Sequence, residues 1–325
     1  MFSNLNEDSS LIRLDKKDKR ILAELDFNAR ATLAQVARRT RCSKQVVKYR
    51  IDELMAKGVI ARTYAAIDRF KLGHVCCQIS IKLKNVTKKR EQEILAYINN
   101  LSNVKSLFSL GGQWDMIFVL WTKDTRELAK LIDRLNSRYG RFIQHKYLSI
   151  STRFTYFSYK YIHGFQENRS CTFSIYAKPY GLGIKELKLL KLLESDARLS
   201  NTELAKALKQ SPETVRRKIK ELQKKGIIAT FRIEIDSLRM GFHHYKLFIN
   251  LKTRVNKRVE EFISYLQTLE PVLYICKSIE KSDMEVNLFV KTHSEFHDVL
   301  GQIRYRFPDI MEDYNWNVAF IVKKP

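Results

Sequence analysis

The chain contains itself twice. Shifted by 168 positions, the sequence falls on itself without a gap: Leu22 and Leu25 on Leu190 and Leu193, Ala29-Arg30 on Ala197-Arg198, Ala37 on Ala205, Ser43 on Ser211, Val47 on Val215. The same offset carries Ile51, Glu53 and Leu54 onto Ile219, Glu221 and Leu222, Lys57-Gly58 onto Lys225-Gly226, and Asp68, Gly73 and Asp115 onto Asp236, Gly241 and Asp283. One offset held over such a stretch describes duplication and fusion of a unit of roughly 150 residues, close to the usual domain size.

Each copy opens in a helical period. Leu14, Ile21, Leu22 and Leu25 recur along a first helix, and Thr32 opens a short second one with Leu33, Val36 and Ala37 inward. Ser43 is a good N-cap for a third, in which Val47, Ile51 and Leu54 follow at i, i+4 and i+7 before Lys57-Gly58 ends it. The second copy repeats this with Ser211 as cap, Pro212 at the first helical position and Gly226 as stop. The spacing predicts winged-type helix-turn-helix domains over 14–60 and 182–228. After short strands at Ile60 to Ile67 and Ile228 to Ile235, the period changes to two, as in Val75, Cys77, Ile79, Ile81 and Leu83. The order βαββαβ follows in each copy, so the fold class is α+β, with ferredoxin-like effector or assembly domains over 61–156 and 229–325. Residues 157–181 form an aromatic, mixed connector expected to be partly ordered, and residues 1–13 are expected to be disordered.

The 59 Lys+Arg against 35 Asp+Glu leave a formal charge of +24, which suits a polyanionic partner. Cysteines 42, 76, 77, 171 and 276 form no Cys-x-x-Cys and have no His at metal spacing, so neither a metal site, a cofactor nor a disulfide framework is expected. No apolar run approaches the roughly 18 residues of a membrane span, and the start lacks a signal pattern; a cytoplasmic protein without membrane contact is expected.

On the third helix of the first copy the stripe opposite the apolar one carries Lys44, Gln45, Lys48 and Tyr49, flanked by Ser43 and Arg50. Gln pairs with adenine, and Lys or Arg reaches guanine or phosphate, when such a helix enters the major groove of double-stranded DNA. The second copy offers Glu213, Arg216, Arg217 and Lys220, with Ser211 and Thr214 at the helix start. This face is more basic and chemically different, so the two heads are expected to prefer different half-sites, or one to read bases while the other holds phosphates.

With these elements in place the chain resembles the Lrp/AsnC family, the feast/famine regulators of bacteria and archaea. The resemblance rests on residues 14–22, Asn28-Ala29-Arg30, residues 43–51, Gly58-Val59-Ile60 and the loop Gly111-Gly112-Gln113-Trp114-Asp115. It implies a DNA-binding transcription regulator of archaeal-like type that assembles through its ferredoxin-like domains and senses an amino acid. On that resemblance Gly111, Gly112, Trp114 and Asp115 are the effector contacts. The second copy reads Glu280-Lys281-Ser282-Asp283 there, without the glycines, which puts a second effector site in doubt. Most members carry one unit and dimerise; here the fused copies are expected to form a pseudo-dimer within the chain, and homo-oligomers beyond it.

Two other readings compete. One is a basic architectural protein that binds DNA without an effector. The other is enzymatic, because siroheme decarboxylases resemble fused AsnC-like repeats of this length. Such enzymes call for a His/Arg/Tyr-rich segment at the second and third strands. Val104 to Val119 and Val272 to Val290 contain neither His nor Arg, and histidines 74, 145, 163, 243, 244, 293 and 297 are scattered. No catalytic residues are therefore expected.

Overall fold

In the computed structural model, which describes residues 11–165, 169–252, 255–280 and 282–323, both copies contribute to each of two units. The first takes the chain up to Ile67, Ser158–Arg169 and Gly183–His243; the second takes Asp68–Phe157, Ser170–Leu182 and the chain from His244 onward. Of the expected disordered N-terminus, residues 1–10 lie outside the described residues. Residues 11–13 run as coil, with the Ile12 N–H donating to the Arg239 carbonyl at 3.0 Å. Among the described residues no helix is long and apolar enough to cross a membrane.

The first unit holds the two heads, α1 (Lys16–Asp26), α2 (Leu33–Thr40) and α3 (Lys44–Ala56) from one copy, and their equivalents Ile184–Ser195, Asn201–Leu208 and Pro212–Lys224 from the other. The helices start where side chains satisfy their free N–H groups: Asp15 and Asp18 form a capping box at α1, and Thr32 with Gln35 another at α2. Each head ends in a strand, β1 (Ile60–Ile67) and Ile228–Ile235, and these two pair antiparallel with Tyr64 opposite Arg232. Tyr64 and Arg232 are one position in the two copies, so a pseudo-two-fold axis passes between them. The contacts around it are reciprocal, as such an axis demands. Arg30 donates to the Ala197 carbonyl (2.5 Å) and Arg198 to that of Ala29 (3.0 Å); the Ala197 N–H meets the Thr63 carbonyl (3.2 Å) and the Ala29 N–H that of Phe231 (2.9 Å).

The connector breaks this symmetry. Asp26 and Arg232, both buried, pair at 2.6 Å, and the Tyr159 N–H donates to the other Asp26 oxygen at 2.8 Å. The Arg232 guanidinium also lies over the rings of Phe27 and Tyr159, at 4.5 and 5.4 Å. Residues 160–163 form a short buried helix behind this pair. Copy-equivalents of Asp26 and Arg232 are Glu194 and Tyr64, so the second side of the axis has no such ion pair.

The second unit takes the remaining elements. From the first copy come β2 (Val75–Leu83), α4 (Lys88–Asn99), β3 (Val104–Gly112), β4 (Met116–Thr122), α5 (Thr125–Tyr139) and β5 (Ile143–Phe157). The connector strand β6 (Ser170–Ser174) pairs with β5. Numbering the head elements of the second copy α7 to α9 and β7 in turn, and the helix Lys160–His163 α6, its remaining strands are β8 (His243–Leu251), β9 (Val272–Ile279), β10 (Met284–Val290) and β11 (Met311–Lys323). Its helices are α10 (Asn256–Thr268) and α11 (His293–Arg306). Each copy forms the ferredoxin-like order, β5-β2-β4-β3 and β11-β8-β10-β9, and the two sheets join at both ends, β3 to β11 and β9 to β5. The second strand of each copy thus meets the last strand of the other. The result is a closed ring of eight strands that leaves none of them an open edge on either side.

Alternation along these strands sorts side chains between two faces. Cys77, Ile79, Ile81 and Leu83 pack outward with Leu128, Leu131 and Leu135 of α5; Tyr245, Leu247, Ile249 and Leu251 pack with Phe296, Leu300 and Ile303 of α11. The alternate residues face into the ring, where the copies differ. The second copy supplies His244, Lys246, Glu285 and Asn287; the first supplies Cys76, Gln78, Ile117 and Val119 at the same positions. Lys246 and Glu285, both buried, pair at 2.6 Å. Gln78 and Asn287 donate to the same carboxylate at 2.9 and 2.8 Å, and Lys246 also reaches Asn287 (3.1 Å) and the Tyr274 hydroxyl (3.3 Å). The Lys246 ammonium and these donors hold the Glu285 carboxyl below its usual range despite burial.

The His244 Nε2–H donates to Asn287 Oδ1 (2.8 Å), and the ring stacks on Phe289 at 4.4 Å. Burial, and then the nearby Lys246 ammonium, push its imidazole from 6.5 down to about 3. Folded, it stays neutral where the unfolded chain's imidazole is protonated, so the unfolded state binds the extra proton and stability falls as pH drops from about 6.5 toward 3. Moving from pH 7 to pH 5 is expected to remove about 2 kcal/mol through this residue. Urea unfolding of wild type and His244→Gln at both pH values checks it, since an equal acid loss in both proteins would clear His244 of the effect.

Candidate nucleic-acid interface

In each head the third helix packs one stripe inward and leaves the other to solvent. Ser43 Oγ accepts the Val46 N–H (3.2 Å) and sets the start of α3, while Val47, Ile51 and Leu54 are buried. On the opposite side Lys44, Gln45, Lys48 and Tyr49 are exposed, the Tyr49 residue to 67%. Lys48 meets Asp52 one turn on at 2.6 Å, an exposed pair that a phosphate can displace at little cost. In α9, Ser211 Oγ accepts the Thr214 N–H (3.1 Å), and the half-buried Thr214 faces that serine rather than outward. Glu213 takes two guanidinium N–H groups of Arg216 at 2.8 and 2.7 Å, a pairing that holds its carboxyl below the usual range. Arg217 and Lys220 stand exposed beside that pair. The first face is therefore a mixed hydrogen-bonding and aromatic surface, and the second a cationic one.

Arg50 departs from the expectation. Its guanidinium turns back to the start of α1, donating to Asp15 (2.8 Å) and Asp18 (2.7 Å). The copy-equivalent Lys218 does the same to Glu186 at 3.3 Å. These residues tie the third helix to the first instead of facing a ligand. The signal was present in the repeat as opposite charges, Asp18 with Arg50 and Glu186 with Lys218, held at one spacing in both copies.

The loop singled out as an effector site is occupied with holding strands together. Gly112 has φ +134°, and a Cβ there would lie 2.7 Å from Asn317 Nδ2 and 3.0 Å from the Trp316 carbonyl, so this glycine lets β11 approach. Asn317 donates to the carbonyls of Gly111 (3.4 Å) and Trp114 (3.2 Å). Trp114 is buried, edge-on to Tyr147 at 5.3 Å. Asp115 accepts the Leu83 N–H (2.7 Å) and pairs with Lys82 (3.0 Å). Asp283 repeats the first contact on the Leu251 N–H at 2.9 Å, which explains why this aspartate survives in the copy that lacks the glycines. Beside the loop, Gln78, Ser80, Trp114, Ser149, Phe248, Ser282 and Asn315 line a cavity of about 10 Å³, room for about one water.

The winged helix-turn-helix DNA-binding family matches residues 14–61 and again 183–229. An HTH-type transcriptional regulator of Mycobacterium tuberculosis is 31% identical over 125 residues, 38% of this chain and 84% of the relative. In fold, the chain is similar over 95% of its length to the siroheme decarboxylase NirDL, 93% of which is covered, with a TM-score of 0.65 and 13% identity. Escherichia coli AsnC, at 21% identity and a TM-score of 0.38, matches 45% of this chain and 95% of its own.

Proposed function

Because the chain belongs to the Lrp/AsnC family of helix-turn-helix transcription regulators, in a tandem-duplicated form, we propose that its two fused heads read one DNA duplex as a single, unequal pair. The observation that carries this is the reciprocal seam between the heads, the β1–β7 pairing centred on Tyr64 and Arg232 with Arg30 and Arg198 crossing it. Dimeric readers obtain such a seam by association; here the two heads belong to one chain, so its formation is independent of concentration. The heads differ chemically, so the preferred site is a pair of dissimilar half-sites about one helical turn, roughly 34 Å, or a multiple of it apart.

Footprinting on selected genomic fragments tests this. Two protected half-sites are expected, and protection of a single one would remove the paired-head reading. Gln45→Ala is expected to relax preference at particular base pairs by about 1–3 kcal/mol, whereas Arg217→Ala weakens binding nearly equally on all sequences. Effects that are uniform for both variants would favour the architectural alternative. Control by an amino acid remains part of this reading as a change in assembly, because a ligand shifts only equilibria whose states it binds unequally. Further chains would then associate through surfaces other than the strand edges already closed in the ring. The decarboxylase alternative is supported by likeness of fold alone; a tetrapyrrole absorption band retained by the purified protein would favour it.

A further inference from the structure

We propose that Arg41 and Lys209 are phosphate clamps flanking each half-site, an assignment that rests on the DNA-binding reading above. The two residues are one position in the two copies, and each ends the second helix of its head, two residues ahead of the N-cap of the third. Both hold left-handed backbone, φ 55° and 51°. Glycine or asparagine is the usual occupant of that region, because a Cβ crowds the following carbonyl. The backbone there is held firmly: the Arg41 N–H donates to the Ala37 carbonyl, and the Lys209 N–H to those of Ala205 and Lys206.

Among the described residues four non-glycines have positive φ, and two of them are these cations. Both are exposed. Two nearby cations carry carboxylate partners, Arg39 with Glu24 and Arg216 with Glu213, whereas others such as Arg217 stand exposed. Among the described residues Arg41 and Lys209 meet none. These cap hydrogen bonds hold the left-handed conformation, and both copies keep a long cation where glycine would fit better. Strain kept at an exposed, unpaired charge beside a recognition helix points to an external anion, and the DNA backbone supplies one at each head.

Arg41→Asn and Lys209→Asn remove the charge and keep a residue that tolerates this backbone. Each is expected to flatten the dependence of log affinity on log salt by about 0.9, and to weaken binding about five- to tenfold near 0.1 M salt on every duplex sequence alike. The double variant should lose about twice the slope. Tm should stay level or rise by about 1–3 °C, and Arg41→Lys should retain the slope. A wild-type slope in either single variant overturns the assignment, as does a lowered Tm accompanying lost affinity, which would mark a structural role. Failure of the wild-type chain to bind any duplex would instead remove the reading on which the assignment rests.

Discussion

Lys246→Met is expected to destabilise the protein by about 3–5 kcal/mol, because it strands the Glu285 carboxylate inside the strand ring without its cation. Gln78 and Asn287 would still donate to that carboxylate, but two neutral donors do not replace an ammonium at 2.6 Å. Adding Glu285→Gln should recover much of the loss, since a neutral amide still accepts from Gln78 and no charge is left buried. Urea unfolding of both single variants and the double gives the coupling directly. A loss below about 1 kcal/mol for Lys246→Met would mean that water reaches the pair. The first copy indicates how the site tolerates neutrality: it places Gln78 and Ile117 where the second has Lys246 and Glu285.

The second large effect is expected in the head unit. Asp26→Ala leaves the buried Arg232 guanidinium without its carboxylate, and the Tyr159 N–H without its acceptor; the expected loss is again about 3–5 kcal/mol. Asp26→Asn should lose less, because one side-chain oxygen remains to accept. The pair joins α1 of one head to β7 of the other, so the consequence extends to binding. Affinity for a duplex carrying both half-sites should fall toward that of a duplex carrying one, while Gln45→Ala should leave stability unchanged. Titration of both duplexes with Asp26→Ala, at a temperature where it is folded, decides the matter. An unchanged ratio between them would show that the β1–β7 pairing and the Arg30 and Arg198 crossings suffice to hold the heads together.

The sequence by itself determined the elements and their duplication. Ser43 and Ser211 mark helix starts, Gly58 and Gly226 mark their ends, and the short strands expected after those stops have the bounds 60–67 and 228–235. Such features are local: a cap, a stop and a periodicity act within a few residues and read the same in any fold. It also determined the exposed faces of α3 and α9, because a helix with one buried stripe must turn the other outward. What each polar residue does was left to the tertiary structure. Arg50 stands on the recognition helix yet faces Asp15 and Asp18, about thirty residues earlier. Asp115 looks like a ligand carboxylate until Leu83 and Lys82 are brought to it. The ring of strands, the seam between heads and the buried pairs Asp26–Arg232 and Lys246–Glu285 depend on residues far apart in the chain. Charge and hydrogen bonding are satisfied by whichever partner arrives in space, and no local pattern names that partner.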